Sequence, residues 1–138
     1  MTEPNDQYAY FSITGDFDPT EISRIVGVAP TESWQKGDVN PRTQFERKFS
    51  RWSLHSRLAK TCDLEAHMGD VVEQLATNLS GFKDLSLKYH GVMQLVGYFK
   101  TNYPGLHLDR GLVESLAVYA LGVDCDFYYL YSEVREDS

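Results

Sequence analysis

The chain has 138 residues, a net charge of −7 and an apolar fraction of 42%. This length suits one domain with its own core, and the composition excludes a wholly disordered chain. No apolar stretch is long enough to predict a membrane span, and two cysteines are too few for a disulfide framework or a zinc cluster. We expect a single domain over residues 1–138 with flexible tails at 1–7 and 132–138. A cytoplasmic location is expected because the polar start lacks a signal-peptide pattern.

The first predicted elements are a strand and a short capped helix. Residues 8–14 are aromatic and β-branched, which is typical of a strand. Asp18, Pro19 and Glu21 then supply a capping side chain, a proline suited to the first helical position and a capping-box acid. Residues 30–50 follow as an ordered loop that can add a short fifth strand. Proline and glycine indicate a loop there, and large aromatic side chains indicate that the loop is ordered.

The middle of the chain predicts a strand followed by a long helix. Residues 51–58 alternate between apolar and polar side chains, so we predict a half-buried strand. Its outer face is cationic and includes Arg51, His55 and Arg57. A helical pattern over residues 64–79 breaks at Gly81, and residues 82–89 form a second helical piece.

Two further strands complete the predicted sheet. Residues 92–99 are apolar on both faces and predict a central strand, whereas Asp109 caps the next helix and residues 124–131 form the last strand. A repeated Tyr-Phe pair before two of the helices suggests two similar halves. We therefore predict an α+β fold in which a long helix joins two β-α-β halves. These halves form one mainly antiparallel four-stranded sheet with helices on one face, a ferredoxin-like variant.

One segment resembles a known family. It combines a Pro-Thr pair, a tryptophan and a Lys-Gly-Asp triplet: Pro30, Thr31, Trp34, Lys36, Gly37 and Asp38. This run resembles a bacterial family called domain of unknown function 4279, with looser matches at Trp52 and at residues 124–126. The resemblance covers residues 8–131. It implies a small bacterial α+β protein without an established reaction or cofactor, and relatives near toxin systems imply an immunity-like binding role.

Charge is distributed unevenly along the chain. Between Lys36 and Lys60 there are seven basic and two acidic residues, a net of +5, while the remainder carries −12. Such a block either faces an anionic partner or pairs with acidic elements of the same protein, and both interpretations stay open. Arginine on this block suits bidentate anion contacts. Aromatic residues within it also fit single-stranded nucleic acid, but the acidic chain disfavours that partner.

A second candidate is the run from Trp34 to Asp38. Trp34, Lys36 and Asp38 would supply the aromatic wall, cationic anchor and carboxylate of a ligand pocket. The alternative is a structural corner in which Gly37 has a positive φ and Asp38 binds nearby amides. Asp124 and Asp126 share one face of the last strand and are expected to pair with the basic block or to cap the entry of the strand rather than to bind a metal. The complete set of candidate binding residues is Trp34, Lys36, Asp38, Arg42, Arg51, His55, Arg57, Asp124 and Asp126.

These observations favour a non-enzymatic module that binds another protein. The four histidines are scattered, each is predicted to be a surface or turn residue, and no nucleophile motif occurs, so no catalytic residue, metal or cofactor is predicted. The alternative is a small-ligand or anion-binding protein, or a hydrolase using Trp34, Lys36 and Asp38. No membrane partner is expected. A homodimer through the tyrosine-rich last strand is a further interpretation if that strand lies at a sheet edge.

Overall fold

Strands and helices alternate along the chain in the computed structural model, which describes residues 3–131. In chain order the elements are β1 (Asp6–Gly15), α1 (Pro19–Val26), β2 (Glu32–Trp34), β3 (Ser50–His55), α2 (Leu64–Leu75), a 3₁₀ turn (Ala76–Asn78), α3 (Leu79–Tyr89), β4 (Val92–Phe99), α4 (Arg110–Val118) and β5 (Gly122–Tyr129). The strands form one sheet in the order β2-β3-β1-β4-β5. The α+β class is therefore confirmed.

The sheet is mixed, which corrects the predicted topology. β1 lies antiparallel to both β3 and β4, and β2 lies antiparallel to β3, but β4 and β5 are parallel. The short strand β2, at Glu32–Trp34, raises the number of strands to five. β2 leads into an antiparallel pairing with β3, whereas the crossover through α4 leads into the parallel pairing of β5 with β4. The ferredoxin-like prediction required two equivalent halves, and the two halves are therefore not equivalent.

Helix starts agree with the sequence signals. The Asp18 side chain accepts a hydrogen bond of 2.9 Å from the Thr20 amide, and Pro19 is the first residue of α1. Asp109 accepts one of 2.8 Å from the Leu112 amide at the start of α4. These carboxylates satisfy amides that have no partner inside the helix, so both caps are fixed by local chemistry.

The break in the long helix was predicted at the wrong residue. α2 ends at Leu75 and Gly81 lies inside α3. Asn78 makes the break because its Oδ1 accepts from the Gly81 amide at 3.0 Å, while its amide group donates to the Val26 carbonyl at 3.2 Å. One side chain thus caps α3 and ties it to the end of α1.

The predicted N-terminal tail is also corrected in part. β1 begins at Asp6, and the Asn5 side chain accepts hydrogen bonds from the Lys100 and Thr101 amides at 2.7 and 3.0 Å. The predicted acidic tail at residues 132–138 lies outside the described residues. None of the helices within 3–131 has the length and apolar run that a bilayer-spanning helix needs.

Alternate residues of the strands face the helices and form the core. Phe11, Trp52 and Met93, from three neighbouring strands, are fully buried with Met68 of α2 and Phe82 of α3. Register explains this arrangement. Phe11 lies opposite Met93 of β4 and opposite Leu54 of β3, and Trp52 is on the same face as Leu54 because it lies two residues away in that strand. The other set of alternate residues lies on the opposite side of the sheet.

Candidate functional site

The side of the sheet that faces away from the helices carries aromatic and polar side chains from every strand. We call this surface the open face. Its side chains are Glu32, Trp34, Arg51, Ser53, His55, Asp6, Tyr8, Tyr10, Ser12, Thr14, Val92, Gln94, Val96, Tyr98, Asp124, Asp126 and Tyr128. Strand register therefore brings five of the predicted site residues onto one surface: Trp34, Arg51, His55, Asp124 and Asp126.

Aromatic rings on the open face stack against their cross-strand neighbours. Tyr10 lies directly opposite His55, and their ring centres are 4.5 Å apart with an angle of 10° between the planes. Tyr98 and Tyr128 form a second pair at 4.8 Å and 10°. Because parallel rings cover each other's faces, the ring edges remain for contacts outside the protein. Tyr8 extends the first stack, 6.2 Å from Tyr10.

Cations surround the aromatic rings on the β2–β3 side of the open face, a region that we call the cationic end. Its cations are Arg47, Arg51 and Lys60, and its rings are Trp34, Tyr8 and Tyr10. The Arg47 guanidinium lies 3.7 Å from the centre of the Trp34 ring. Arg51 donates a 3.0 Å hydrogen bond to the Tyr10 hydroxyl, and Lys60 lies 5.5 Å from the Tyr8 ring. Among residues 3–131, no carboxylate lies within 4.0 Å of these three cations. Cation–π contacts therefore hold charges that stay available to a partner.

The pKa values of three titratable groups on the open face are shifted by their surroundings. Burial lowers the pKa of His55, the Glu32 carboxylate opposes this, and the charges of Arg51 and Lys60 lower it further. Burial raises the pKa of Tyr8. A hydrogen bond to Asp126 raises the pKa of Tyr128. These shifts favour the uncharged forms of the His55 imidazole and of the Tyr8 and Tyr128 phenols.

Lys36 and Asp38 lie in a loop whose polar groups bind one another. The Asp38 carboxylate accepts from the Gln35 amide at 2.8 Å, and the Lys36 amide donates to the Ser50 hydroxyl at 2.9 Å. The Lys36 ammonium is 3.6 Å from Asp16. Gly37 adopts a φ of 93°, which favours glycine, so the turn depends on that residue.

Two further residues of the basic segment lie away from the open face. The Arg42 amide donates to the Asn40 side chain at 3.0 Å in the exposed part of the loop. Arg57 was predicted on the outer face of a strand, but β3 ends at His55. Instead, its guanidinium lies 2.7 Å from the Asp70 carboxylate, whose side chain is only 7% exposed, and 3.6 Å from Glu73. Arg57 is therefore complemented within the protein.

Asp124 and Asp126 share a face as alternation predicted, but they occupy the opposite edge of the sheet from β2. Three strand spacings separate β5 from β3, a distance of roughly 14 Å. The expected pairing with the basic block is consequently wrong, because strand order was not visible in the sequence. Within the described part of the chain, no cluster of three or more histidine, cysteine or acidic side chains is arranged for a metal ion.

One histidine was misplaced by the sequence reasoning. His67 was expected at the surface, but it is fully buried in α2, beside Met68. Its Nδ1 lies 2.7 Å from the Ser56 hydroxyl, and its Nε2 has no hydrogen-bond partner among the described residues. Burial lowers the pKa of His67, although nearby carbonyl and carboxylate groups oppose that effect.

Other features of the open face were also missed. Tyr8 and Tyr10 were not among the candidate residues, and Arg47 and Lys60 were considered only as members of the basic block. The alternation of Tyr8 and Tyr10 within one strand was a usable signal, since it places both rings on one face. The positions of Arg47 and Lys60 depend on loops, for which the sequence held no comparable signal.

Clefts occur between the helices on the other side of the sheet. One of about 480 Å³ lies between α1 and α3 and has an apolar floor that includes Phe17, Ile22 and Leu85. Two others lie beside α2 and α4. None of these three clefts contains Trp34, Lys36 or Asp124, so they do not form the ligand pocket considered from the sequence.

Comparisons with known proteins give one finding. Residues 5–130 match the family described as "Domain of unknown function (DUF4279)". This match confirms the resemblance indicated by the run from Pro30 to Asp38. No curated protein and no solved structure matches the chain.

Proposed function

Because the chain belongs to the DUF4279 family, whose description assigns no activity, we propose its function from its own surface. The protein is a non-enzymatic module that binds another protein, and the open face makes the contact. The display of tyrosine ring edges by the two stacked aromatic groups carries this proposal. Tyrosine is enriched at protein interfaces because it combines a large apolar ring with a polar tip at low entropic cost.

The stacking geometry also favours a protein over a nucleic acid. Proteins that bind single strands stack each base on an aromatic face. On the open face, Tyr10 covers one face of His55 and Tyr98 covers one face of Tyr128, so fewer ring faces are left for bases to stack on. The net charge of −7 further weakens attraction to a phosphate backbone.

A second candidate function is the binding of a small anion at the cationic end. The observation that favours it is the absence of a carboxylate within 4.0 Å of Arg47, Arg51 and Lys60 in the stretch 3–131. The pocket and the hydrolase based on Trp34, Lys36 and Asp38 receive less support. The two charged groups of that run are bonded within the protein, and the Trp34 indole donates to the Phe49 carbonyl at 3.1 Å.

Site-specific photo-crosslinking in cells of the source organism tests the proposal. A benzophenone amino acid is placed at position Tyr10 on the open face or, as a control, at Leu87, an exposed residue of α3. We expect a discrete covalent protein adduct from the first position and none from the second. Adducts of equal yield from both positions, or from neither, contradict the proposal.

A matched pair of arginine variants makes the test specific. Arg51→Ala removes a cation of the open face, whereas Arg42→Ala removes one from the loop in the same basic segment. We expect the first to reduce the adduct formed at position Tyr10 and the second to leave it unchanged. If only inorganic phosphate binding is lost in Arg51→Ala, and no adduct forms in either background, the anion-binding candidate replaces the protein-binding one.

A further inference from the structure

The outer edge of β5 has main-chain groups available for another strand. The amides of Gly122 and Leu130 donate toward the β4 side, to the carbonyls of Gly91 and Phe99 at 3.0 and 2.9 Å. Main-chain direction alternates along a strand, so the groups of the odd-numbered residues point away from β4. These residues are Val123, Cys125, Phe127 and Tyr129. Within residues 3–131, none of them makes a main-chain hydrogen bond on that outer side.

Side chains along β5 alternate in chemistry as well as in direction. Asp124 and Asp126 project on the open face, and among the described residues no cation lies within 4.0 Å of either. Val123 and Tyr129 project on the other face, with 38% and 55% of their surfaces exposed. The edge therefore presents an acidic row on one side and an apolar row on the other.

The two edges of the sheet differ in their protection. β2 has only three residues, a length that limits pairing with other chains. β5 has eight residues, and its sequence contains no proline or lysine to block a new strand. An unprotected edge of this length is suited to strand addition by a partner.

Charge disfavours a second copy of the chain as that partner. Two copies of β5 that pair antiparallel about a two-fold axis through Cys125 place Asp124 opposite Asp126, and an axis through Asp126 places that residue opposite its own copy. An axis through Phe127 avoids these contacts, but it places Asp124 opposite Leu130 and Asp126 opposite Tyr128, so neither carboxylate gains a cation. Like charges directly across a strand pair are destabilising, so the acidic row selects a different sequence.

We propose that β5 is a docking edge for an extended segment of another protein in which basic and apolar side chains alternate. This segment adds to the sheet as a sixth strand, with its basic side chains opposite Asp124 and Asp126 and its apolar side chains beside Val123, Phe127 and Tyr129. The inference rests on the proposed function in that the partner is a protein. It uses the strand edge rather than the stacked tyrosines, so each proposal can fail separately.

Amide hydrogen exchange measured by NMR tests this proposal directly. The probe is a capped synthetic peptide of about eight residues in which valine and lysine alternate, a length matched to strand pairing. We expect it to slow exchange at the outward amides of Val123, Cys125, Phe127 and Tyr129. The inward amides already bond to β4 and should change less. Protection of both sets equally, protection elsewhere only, or no binding at millimolar peptide overturns the proposal.

Charge variants test the predicted recognition. Asp126→Lys should weaken binding of the valine–lysine peptide by roughly fivefold, because an opposite-charge cross-strand pair becomes a like-charge pair. Asp84→Lys makes the same charge change on α3 and should leave the affinity unchanged. A matched peptide with glutamate in place of lysine should bind wild type weakly and Asp126→Lys more tightly. Equal binding of the two peptides to wild type overturns the proposal.

A backbone variant tests the edge itself. Cys125→Pro removes one outward amide donor, and edge strands tolerate proline where that amide faces away from the neighbouring strand. We expect a folded protein, checked by circular dichroism, that no longer binds the peptide. Undiminished peptide binding by this folded variant overturns strand addition. If the proline variant does not fold, the comparison of wild type with Asp126→Lys decides whether the peptide binds at β5. Because the probe is a pure peptide, its result is independent of the crosslinking at Tyr10.

Discussion

The covered and open faces of the sheet use aromatic side chains in different ways. On the covered face, Phe11 and Phe82 pack edge to face at 5.5 Å and 84°, and both are fully buried with Trp52. On the open face, Tyr10 and His55 stack in parallel at 4.5 Å. Covered rings are enclosed by helices as well as strands, whereas open rings depend on cross-strand neighbours. The same strands thus provide stability from one set of alternate residues and leave the other set for recognition.

The largest expected effect is from Trp52→Ala on the covered face. This change removes the largest buried side chain and a 3.0 Å hydrogen bond from its indole to the Ser23 hydroxyl. We expect the free energy of unfolding to fall by about 3–5 kcal/mol. Urea denaturation checks this value, and a loss below about 1 kcal/mol would contradict the enclosed packing of this face.

A smaller loss is expected from Asp70→Asn, which breaks the ion pair between the buried Asp70 carboxylate of α2 and the partly exposed Arg57 guanidinium. Its cost should be about 1–3 kcal/mol, since the buried polar group loses a charged partner. Burial raises the pKa of Asp70, but its hydrogen bonds with Arg57 outweigh this and give a net lowering. The stabilisation is therefore present at neutral pH and lost as the pH falls through the folded-state pKa. Denaturation from pH 6 to 2 should show a flatter profile in the variant, while Glu73→Gln, at an exposed carboxylate, should resemble wild type.

A third effect concerns pH and applies to both faces. His67 in α2 and His55 on the open face both have a pKa lowered chiefly by burial. Their unfolded forms bind protons more readily, so each contributes stability above the unfolded-state pKa that is lost as the pH falls through and below it. His67→Gln should flatten the fall in unfolding free energy between pH 7 and 5. An unchanged slope would show that His67 is not buried in its neutral form.

The smallest expected effect on stability is from Tyr10→Ala. We expect a loss of about 1 kcal/mol or less, because this side chain interacts mainly with cross-strand neighbours. Phe11→Ala is the matched control, since it is the next residue of β1 and faces the core, and it should cost about 3–5 kcal/mol. Equal losses in urea denaturation would mean that the two faces do not differ in their contribution to stability.

Local features of the fold were predictable from the sequence, but the order of the strands was not. Asp18 and Asp109 cap helices through bonds to residues two or three positions away, so short sequence windows contain the whole signal. In contrast, the alternation of residues 122–129 is the same whether the strand is central or at an edge. Parallel pairing of β5 with β4 depends on how α4 crosses the sheet, which is a property of tertiary packing.

The candidate site shows the same division. Trp34 and Arg51 come together because β2 pairs with β3, a contact between neighbouring segments. Arg57 was placed wrongly because the strand ends two residues earlier and Asp70, thirteen positions later, binds its guanidinium. His67 was also misplaced, since a polar residue next to the apolar stripe of a helix gives no sign that Ser56 will bind it inside the core.

The α4–β5 unit buries little apolar surface, which has a consequence for local unfolding. β5 contributes no fully buried residue, and within α4 itself only Leu116 is buried. Segments with little buried apolar surface open at lower free energy than the rest of a domain. Transient detachment should therefore begin here, and limited proteolysis should first cut near this crossover. A ligand that binds only the attached state would slow that cleavage by mass action.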